Sequence, residues 1–310
     1  MADQTMQAIR YHDYGGPEVL VLERAPRPEP KAGEVLVRVH AAGVNPVDWK
    51  FRRGNMKANV TLQMPNTPGF DVSGTVEALG QGVTAFQKGQ AVFGRGTGSY
   101  AEFAVAPAGQ LALKPAKLSF EQAASIPIGA VTAWCGLFDS AGLQAGQRVL
   151  VSGAAGGVGL FAVQFARWKG AHVTGTASAG NVEYVRSLGA EKVLDYHTTP
   201  AKSLGRSMDV VFDCVGGEAQ APLWEALKPG GMFVTIAGRI TEETAKQHDA
   251  RTAPVSAKAT TELLQKIAGL IESGTVAPHV GRVFPLAEAR QAHTLSETGH
   301  GRGRIVLKVV

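Results

Sequence analysis

The stretch Arg148-Val149-Leu150-Val151-Ser152-Gly153-Ala154-Ala155-Gly156-Gly157-Val158-Gly159 constrains this chain more than any other. Arg148 to Ser152 reads as a buried strand and Gly157 to Lys169 as a helix. The glycines between them fit the turn that cradles a dinucleotide, with Ala154 in the place of the first glycine of Gly-x-Gly-x-x-Gly. On this reading the tight turn falls at residue 154. Gly156 lets the backbone approach a pyrophosphate, and Gly159 lets helix and strand pack closely. Gly157 and Val158 complete a loop whose N–H groups and helix dipole suit phosphate. A structural turn that binds nothing would use similar residues. The preceding strand, the following helix and a second strand from Ala171 favour the dinucleotide.

That second strand ends Thr174-Gly175-Thr176-Ala177-Ser178. A site for NAD places Asp or Glu about 20 residues beyond the loop, on the ribose hydroxyls. Here the first acid is Glu183, on the next helix. Without a carboxylate at the strand end a 2′-phosphate is permitted, so the expected cofactor is NADP(H). Thr176, Ser178 and Asn181 are the expected contacts. The loop itself holds no Lys or Arg, and Arg186 is one candidate for the cation that a 2′-phosphate needs.

From Arg148 onward strands and helices alternate, and the strands are nearly continuous apolar runs, which predicts a parallel sheet covered on both faces. The first third differs: short strands at Ala8–Tyr11, Val35–Ala41, Gly74–Leu79, Ala91–Phe93 and Tyr100–Val105, punctuated by Pro and Gly, predict a closed or partly closed β-domain. Helices are expected at Glu121–Ala124, Val131–Leu137, Val182–Leu188, Thr260–Ser273 and Ala287–Leu295. The last strand, Ile305–Val309, is expected to return to the first domain. Residues 239–258 show no period and read as a mobile lid or a surface excursion.

Several classes drop out. The net charge is +5, but the basic residues are scattered, so no nucleic-acid partner is expected. The opening MADQTMQAIRYH carries both acid and base and is no signal peptide. The uncharged run from Val149 to Ala166 is interrupted by glycines and reads as a strand and a helix rather than a membrane span. Cys135 and Cys214 are too few for a disulfide framework or a thiolate zinc site, which fits a reducing, cytoplasmic setting.

The sequence resembles the zinc-independent quinone oxidoreductases (zeta-crystallin-like) of the medium-chain dehydrogenase/reductase superfamily over nearly its whole length. The likeness rests on Ala42-Gly43-Val44-Asn45-Pro46-Val47-Asp48-Trp49-Lys50, Pro68-Gly69-Phe70-Asp71-Val72-Ser73-Gly74, Gly98-Ser99-Tyr100-Ala101-Glu102, Ala130-Val131-Thr132-Ala133, Gly156-Gly157-Val158-Gly159, Leu188-Gly189-Ala190 and Gly303-Arg304-Ile305-Val306-Leu307. It implies an α/β chain with a GroES-like β-barrel domain, residues 1–125 and 275–310, and a Rossmann doubly wound parallel-sheet domain, residues 126–274. It also implies an active site in the cleft between them, and a homodimer joined through the nucleotide-domain sheet edge. Zinc-dependent relatives carry Cys at the position of Asn45, Gly-His-Glu at Gly69-Phe70-Asp71 and Cys at Ile128, so no metal is expected here.

The resemblance assigns Asn45, Lys50 and Thr132 to the catalytic side of the cleft, with Tyr196 beside the adenine and Gly238 beside the nicotinamide. Lys50 stands where many relatives have Tyr. Asp48 and Asp71 are read as loop caps rather than paired acids, and Gly299–Arg304 as a flexible basic loop. Without a metal, the tractable reaction is reduction of a quinone or an α,β-unsaturated carbonyl. The alternative is a nucleotide-binding protein with little catalysis, a redox sensor or an RNA-associated protein.

Overall fold

The computed structural model describes residues 4–58 and 60–310; the first three residues of the polar opening lie outside the described residues. Along the chain come β1 (Thr5–Arg10), β2 (Val21–Pro26), β3 (Glu34–Val44), α1 (Pro46–Arg52), β4 (Asp71–Leu79), β5 (Ala91–Arg95), β6 (Phe103–Pro107), β7 (Leu111–Leu113), α2 (Phe120–Ala124) and α3 (Pro127–Trp134). Then follow β8 (Arg148–Val151), α4 (Gly159–Trp168), β9 (His172–Ala177), α5 (Val182–Ser187), β10 (Lys192–Asp195), β11 (Met208–Asp213), α6 (Ala221–Trp224), β12 (Leu227–Thr235), α7 (Glu242–Gln247) and β13 (Ala250–Thr252). The chain closes with α8 (Thr261–Glu272), β14 (Val280–Pro285), α9 (Ala289–Glu297) and β15 (Arg304–Lys308).

The strands β8 to β13 form one all-parallel sheet in the order β10-β9-β8-β11-β12-β13. This is the doubly wound order, with its switch point between β8 and β11, where a crevice opens at the strand C-termini. The run Val149-Leu150-Val151 is continuously apolar because both faces are covered. Val149 and Val151 join the core under α4, whereas Leu150 joins Met208, Val211, Leu223 and Trp224 on the other side. Residues 239–258 hold the helix α7 and the sixth strand, β13, neither of which the sequence announced.

The other sheet runs β14-β15-β3-β4-β5-β7, with β6 also paired to β3. Val35, Val37 and Val39 alternate inward from β3 and are fully buried. As expected from the sequence, the final strand returns: β15 lies antiparallel to β3 and parallel to β14. The two units share a core, since Phe93 and Ala112 pack in the same cluster as Ile126, Phe161 and Ile267. Helix α8 is capped by Thr260, whose hydroxyl accepts from Leu263 N–H at 3.1 Å. It buries Leu264, Ile267 and Ile271, each stabilising by about 2 kcal/mol. The helix expected at Val131–Leu137 is instead the end of α3, followed by a π-helical turn over Cys135–Ser140.

A buried polar chain joins α1 to α9. Asp48 Oδ2 accepts from Asn45 N–H at 2.8 Å and from the Tyr100 hydroxyl at 2.9 Å. His293 Nε2 lies 3.2 Å from the Tyr100 oxygen, and Arg52 Nη1 lies 3.4 Å from His293 Nδ1. A guanidinium can only donate, so Nδ1 accepts and Nε2 carries the proton. The chain therefore donates from Arg52 through His293 and Tyr100 to Asp48. Burial raises the Asp48 carboxyl to about 7, against the pull of the Asn45 N–H. Burial lowers the His293 imidazole to about 3, with Arg52 adding to the effect.

These shifts act on stability with opposite signs. The Asp48 contribution is present in acid and is lost as pH rises through about 7. The His293 contribution is present above its unfolded value and is lost as pH falls toward about 3. Urea unfolding at several pH values between about 4 and 6.5 checks this. Relative to the parent chain, Asp48→Asn makes stability rise more steeply with pH, and His293→Gln makes it fall. Identical slopes in both variants would contradict the opposed titrations.

Candidate active site

The switch point is built by side chains from three strand ends. Ser152, just beyond β8, donates to Asp213 Oδ1 at 2.6 Å, and Thr235 at the end of β12 donates to Asp213 Oδ2 at 2.8 Å. Gln220 Nε2 and the N–H groups of Val215 and Gly216 also donate to this carboxylate. The Ser152 hydroxyl and its companion donors hold Asp213 below the usual carboxylate range despite its burial. Asp213 thus fixes the crevice floor from beneath. Sequence reading missed it, although an acid ending the apolar strand Met208–Asp213 is a signal.

The glycine loop lies above that floor. The left-handed residue is Gly153, with φ of +61°, so the tight turn falls there and not at residue 154; Ala154 is fully buried with ordinary backbone. Gly153 N–H donates to Thr176 Oγ1 at 3.3 Å, and Ala154 N–H to the Thr176 carbonyl at 3.0 Å, which ties the loop to β9. A Cβ on Gly159 would drive into the Gly153 carbonyl, and α4 starts there, two residues later than the sequence suggested. A Cβ on Gly156 would meet the Gly153 carbonyl at 3.3 Å, a tight contact, and no further atom is among its near neighbours within 4 Å. Among the described residues, the N–H groups of Gly157, Val158 and Gly159 have no acceptor. This is the arrangement that accepts a pyrophosphate.

Arg304, on β15, passes directly under the loop. A Cβ on Gly157 would come within 2.9 Å of its Cδ and Nη1. Immediately before the strand, Gly303 N–H donates to the Ala155 carbonyl at 2.9 Å. Arg304 is only 4% exposed. Its Nη2 donates to Asp71 Oδ2 at 2.9 Å and to Asn45 Oδ1 at 2.5 Å, while its Nε is buried without a partner. Asn45 Nδ2 donates to the same Asp71 oxygen at 3.0 Å, and Ile128 N–H donates to Asp71 Oδ1 at 2.9 Å. Burial pushes the Asp71 carboxyl upward, and the Arg304 guanidinium pulls it back.

Asn45 stands at the centre of this cluster. The side chain is fully buried, and both ends of its amide are spent on Asp71 and Arg304. Within the chain, the amide therefore bridges the carboxylate and the guanidinium. Lys50 is half-buried on α1 with its ammonium 5.6 Å from the Trp49 ring centroid. Thr132 is half-buried on α3, which packs against α4.

At the far end of the crevice, Ser178 Oγ accepts from Asn181 Nδ2 at 3.1 Å. Tyr196 is 46% exposed, and its backbone N–H donates to the Ala177 carbonyl at 3.2 Å. A Cβ on Gly238 would meet nothing within 4 Å. Arg186 pairs with Glu183 at 2.5 Å on the exposed side of α5. The Gly299–Arg304 segment is not a loose basic loop, because Arg302, Gly303 and Arg304 are all hydrogen-bonded to other parts of the chain.

The positions that hold zinc in metal-dependent dehydrogenases do not fit a zinc ion here. Phe70 and Ile128 have no donor side chain, Asn45 is engaged, and Asp71 is paired with a guanidinium. Among the described residues there is no cluster of three His, Cys, Asp or Glu that would hold a metal.

The glycine geometry separates two substitutions. Gly156→Val keeps a cooperative melt near the parent value but abolishes dinucleotide binding, whereas Gly159→Val lowers the melting temperature as well. Thermal melts and calorimetric titration check this, and a Gly156→Val protein that binds like the parent would contradict it.

Comparison with known proteins agrees with this geometry. A family model described as the alcohol dehydrogenase GroES-like domain matches residues 31–116, and one described as zinc-binding dehydrogenase matches residues 188–307. The chain is 38% identical to a quinone oxidoreductase from Mus musculus, over 96% of each protein. It is 35% identical to an NADPH-dependent alkenal/one oxidoreductase, chloroplastic, from Arabidopsis thaliana, over 97% of this chain and 79% of that one. The solved quinone oxidoreductase from Coxiella burnetii superposes with a TM-score of 0.91 at 36% identity, over 99% of this chain and 100% of that one. With barrel, parallel sheet, glycine loop and a cleft whose zinc positions are filled by Asn45, Phe70 and Ile128, the chain belongs to the zinc-independent quinone oxidoreductases of the medium-chain dehydrogenase/reductase superfamily.

Proposed function

We propose that this protein is an NADPH-dependent oxidoreductase that reduces a quinone or an α,β-unsaturated carbonyl without zinc. The observation that carries the reading is the Arg304–Asp71–Asn45 cluster, which fills the place of a metal directly beneath an open dinucleotide loop. The names of the quinone and alkenal/one oxidoreductases it resembles support both acceptor classes and the choice of NADPH.

The N–H groups of Gly157, Val158 and Gly159 hold the pyrophosphate, and Arg304 lends positive potential from below. Ala154 and Gly156 leave room for the backbone approach. Thr176, Ser178 and Asn181 face the adenosine ribose, and the exposed Tyr196 ring offers the adenine a stacking surface. Gly238 leaves space at the nicotinamide end, and Thr132 lies on that side. Bound NADPH supplies the hydride. The chain's task is to orient, to exclude water and to answer the negative charge that grows on the acceptor oxygen. In this reading Lys50 is the donor that answers that charge, and Asn45 positions the cleft wall. The two sheets support a division into residues 1–125 with 275–310 and residues 126–274. The outer edge of β13 is the surface that would join two copies in a homodimer. No helix among the described residues is long and apolar enough to cross a membrane. Cys135 and Cys214 are unpaired, which suits a cytoplasmic setting.

Steady-state NADPH oxidation with benzoquinone, naphthoquinone, a 2-alkenal and a cyclic enone tests the reading. Turnover of at least one acceptor class is expected. Tight NADPH binding with no turnover on any of them would favour a nucleotide-binding protein instead. Lys50→Ala lowers kcat by about tenfold or more with NADPH affinity unchanged; an unaltered kcat would return Lys50 to the surface.

A further inference from the structure

The cofactor reading leaves one charge unanswered. A 2′-phosphate is dianionic near neutral pH, and neither the glycine loop nor the end of β9 carries a cation. Arg186 lies one helix further on and is paired with Glu183. We propose that Arg302, delivered by the barrel unit's C-terminal turn, is the cation that holds the 2′-phosphate and selects NADPH over NADH. The proposal rests on the NADPH-dependent reading above and names the residue that would discriminate the two cofactors.

Arg302 lies against the segment that follows β9, the place where the adenosine ribose is held in this fold. Its Nε donates to Asn181 Oδ1 at 3.0 Å, and its Nη2 donates to the Gly180 carbonyl at 2.9 Å. Its guanidinium sits 4.7 Å over the Tyr184 ring. All of these partners are neutral, and among the described residues Arg302 pairs with no carboxylate. The guanidinium is oriented by three neutral groups and faces no carboxylate that a phosphate would have to displace. Asn181 passes the arrangement on, because its Nδ2 donates to Ser178 Oγ and leaves the serine hydroxyl hydrogen to turn elsewhere. One amide thereby aligns a guanidinium and a hydroxyl, the two donor types that a phosphate monoester takes best. His279, on the Tyr184 ring at 4.9 Å, is pushed toward its neutral form by burial and by Arg302, so the guanidinium carries the local charge.

The position of Arg302 is fixed relative to the pyrophosphate site. Its neighbour Gly303 is bonded to the Ala155 carbonyl in the glycine loop, and Arg304 is buried beneath that loop. Three consecutive residues of one unit thus reach the other unit's ribose pocket, its phosphate loop and the space beneath that loop. Cofactor choice is then written in the tail of the barrel unit, more than 100 residues from the β9 terminus that ordinarily carries it.

The test is calorimetric titration of NADPH, NADH, adenosine 2′,5′-bisphosphate and adenosine 5′-monophosphate into the full chain and into Arg302→Gln, Arg302→Lys and Arg302→Glu. Arg302→Gln is expected to weaken NADPH and the bisphosphate by about 10- to 100-fold and to leave NADH and the monophosphate within about twofold. Arg302→Lys recovers part of the loss, and Arg302→Glu deepens it. Equal weakening of NADPH and NADH, or no change in either, overturns the assignment while the cofactor reading stands. A parent chain that binds neither dinucleotide overturns the cofactor reading and this proposal with it.

Discussion

A buried guanidinium holds the two units of this protein in register. Arg304 leaves β15 and runs under Gly157. It ends on Asp71 and Asn45, which belong to the strand and helix start lining the opposite wall. Taking such charges out of water is costly, and a buried ion pair seldom adds net stability over an apolar filling. Its effect is directional: Asp71 also accepts from Ile128 at the start of α3, so one carboxylate fixes a helix, an asparagine and the tail strand together. Removing either partner strands a buried charge, costing about 3–5 kcal/mol. The cleft therefore has little freedom to rearrange around a different set of ligands.

The same cluster accounts for the chemistry open to the cleft. In a zinc dehydrogenase the metal withdraws electron density from the substrate oxygen and eases loss of its proton. Here the equivalent space is filled by donors that satisfy one another, which leaves an environment suited to acceptors that are already electron-poor. The floor is equally committed, since Asp213 collects Ser152, Thr235, Gln220 and two backbone N–H groups at the strand ends. Rigid support below and unpaired N–H groups above are what a pre-organised dinucleotide site requires.

Much of this was legible in the sequence. The apolar strands, the glycine loop, the absent acid after β9 and the returning tail strand are signatures carried within short windows. What escaped depended on contacts between distant residues. The partners of the Asn45 amide lie 26 and 259 positions away, beyond any local window. The basic tail read as loose because its hydrogen-bond acceptors, Ala155, Gly180 and Asn181, belong to the other unit. The turn was assigned to residue 154 by motif position, whereas the backbone needs its left-handed residue at Gly153. The short α7 and edge strand β13 escaped because a three-residue strand held by its neighbour β12 has no period of its own.

The most direct measurement follows an isotope. The chelator-treated protein is given NADPH deuterated at the transferable C4 position, together with a cyclic enone, and the product is read by NMR. The account requires deuterium at the β-carbon, with a rate unaffected by the chelator. Reduction that stops on metal removal and returns with zinc, or product carrying no label from the cofactor, would contradict it.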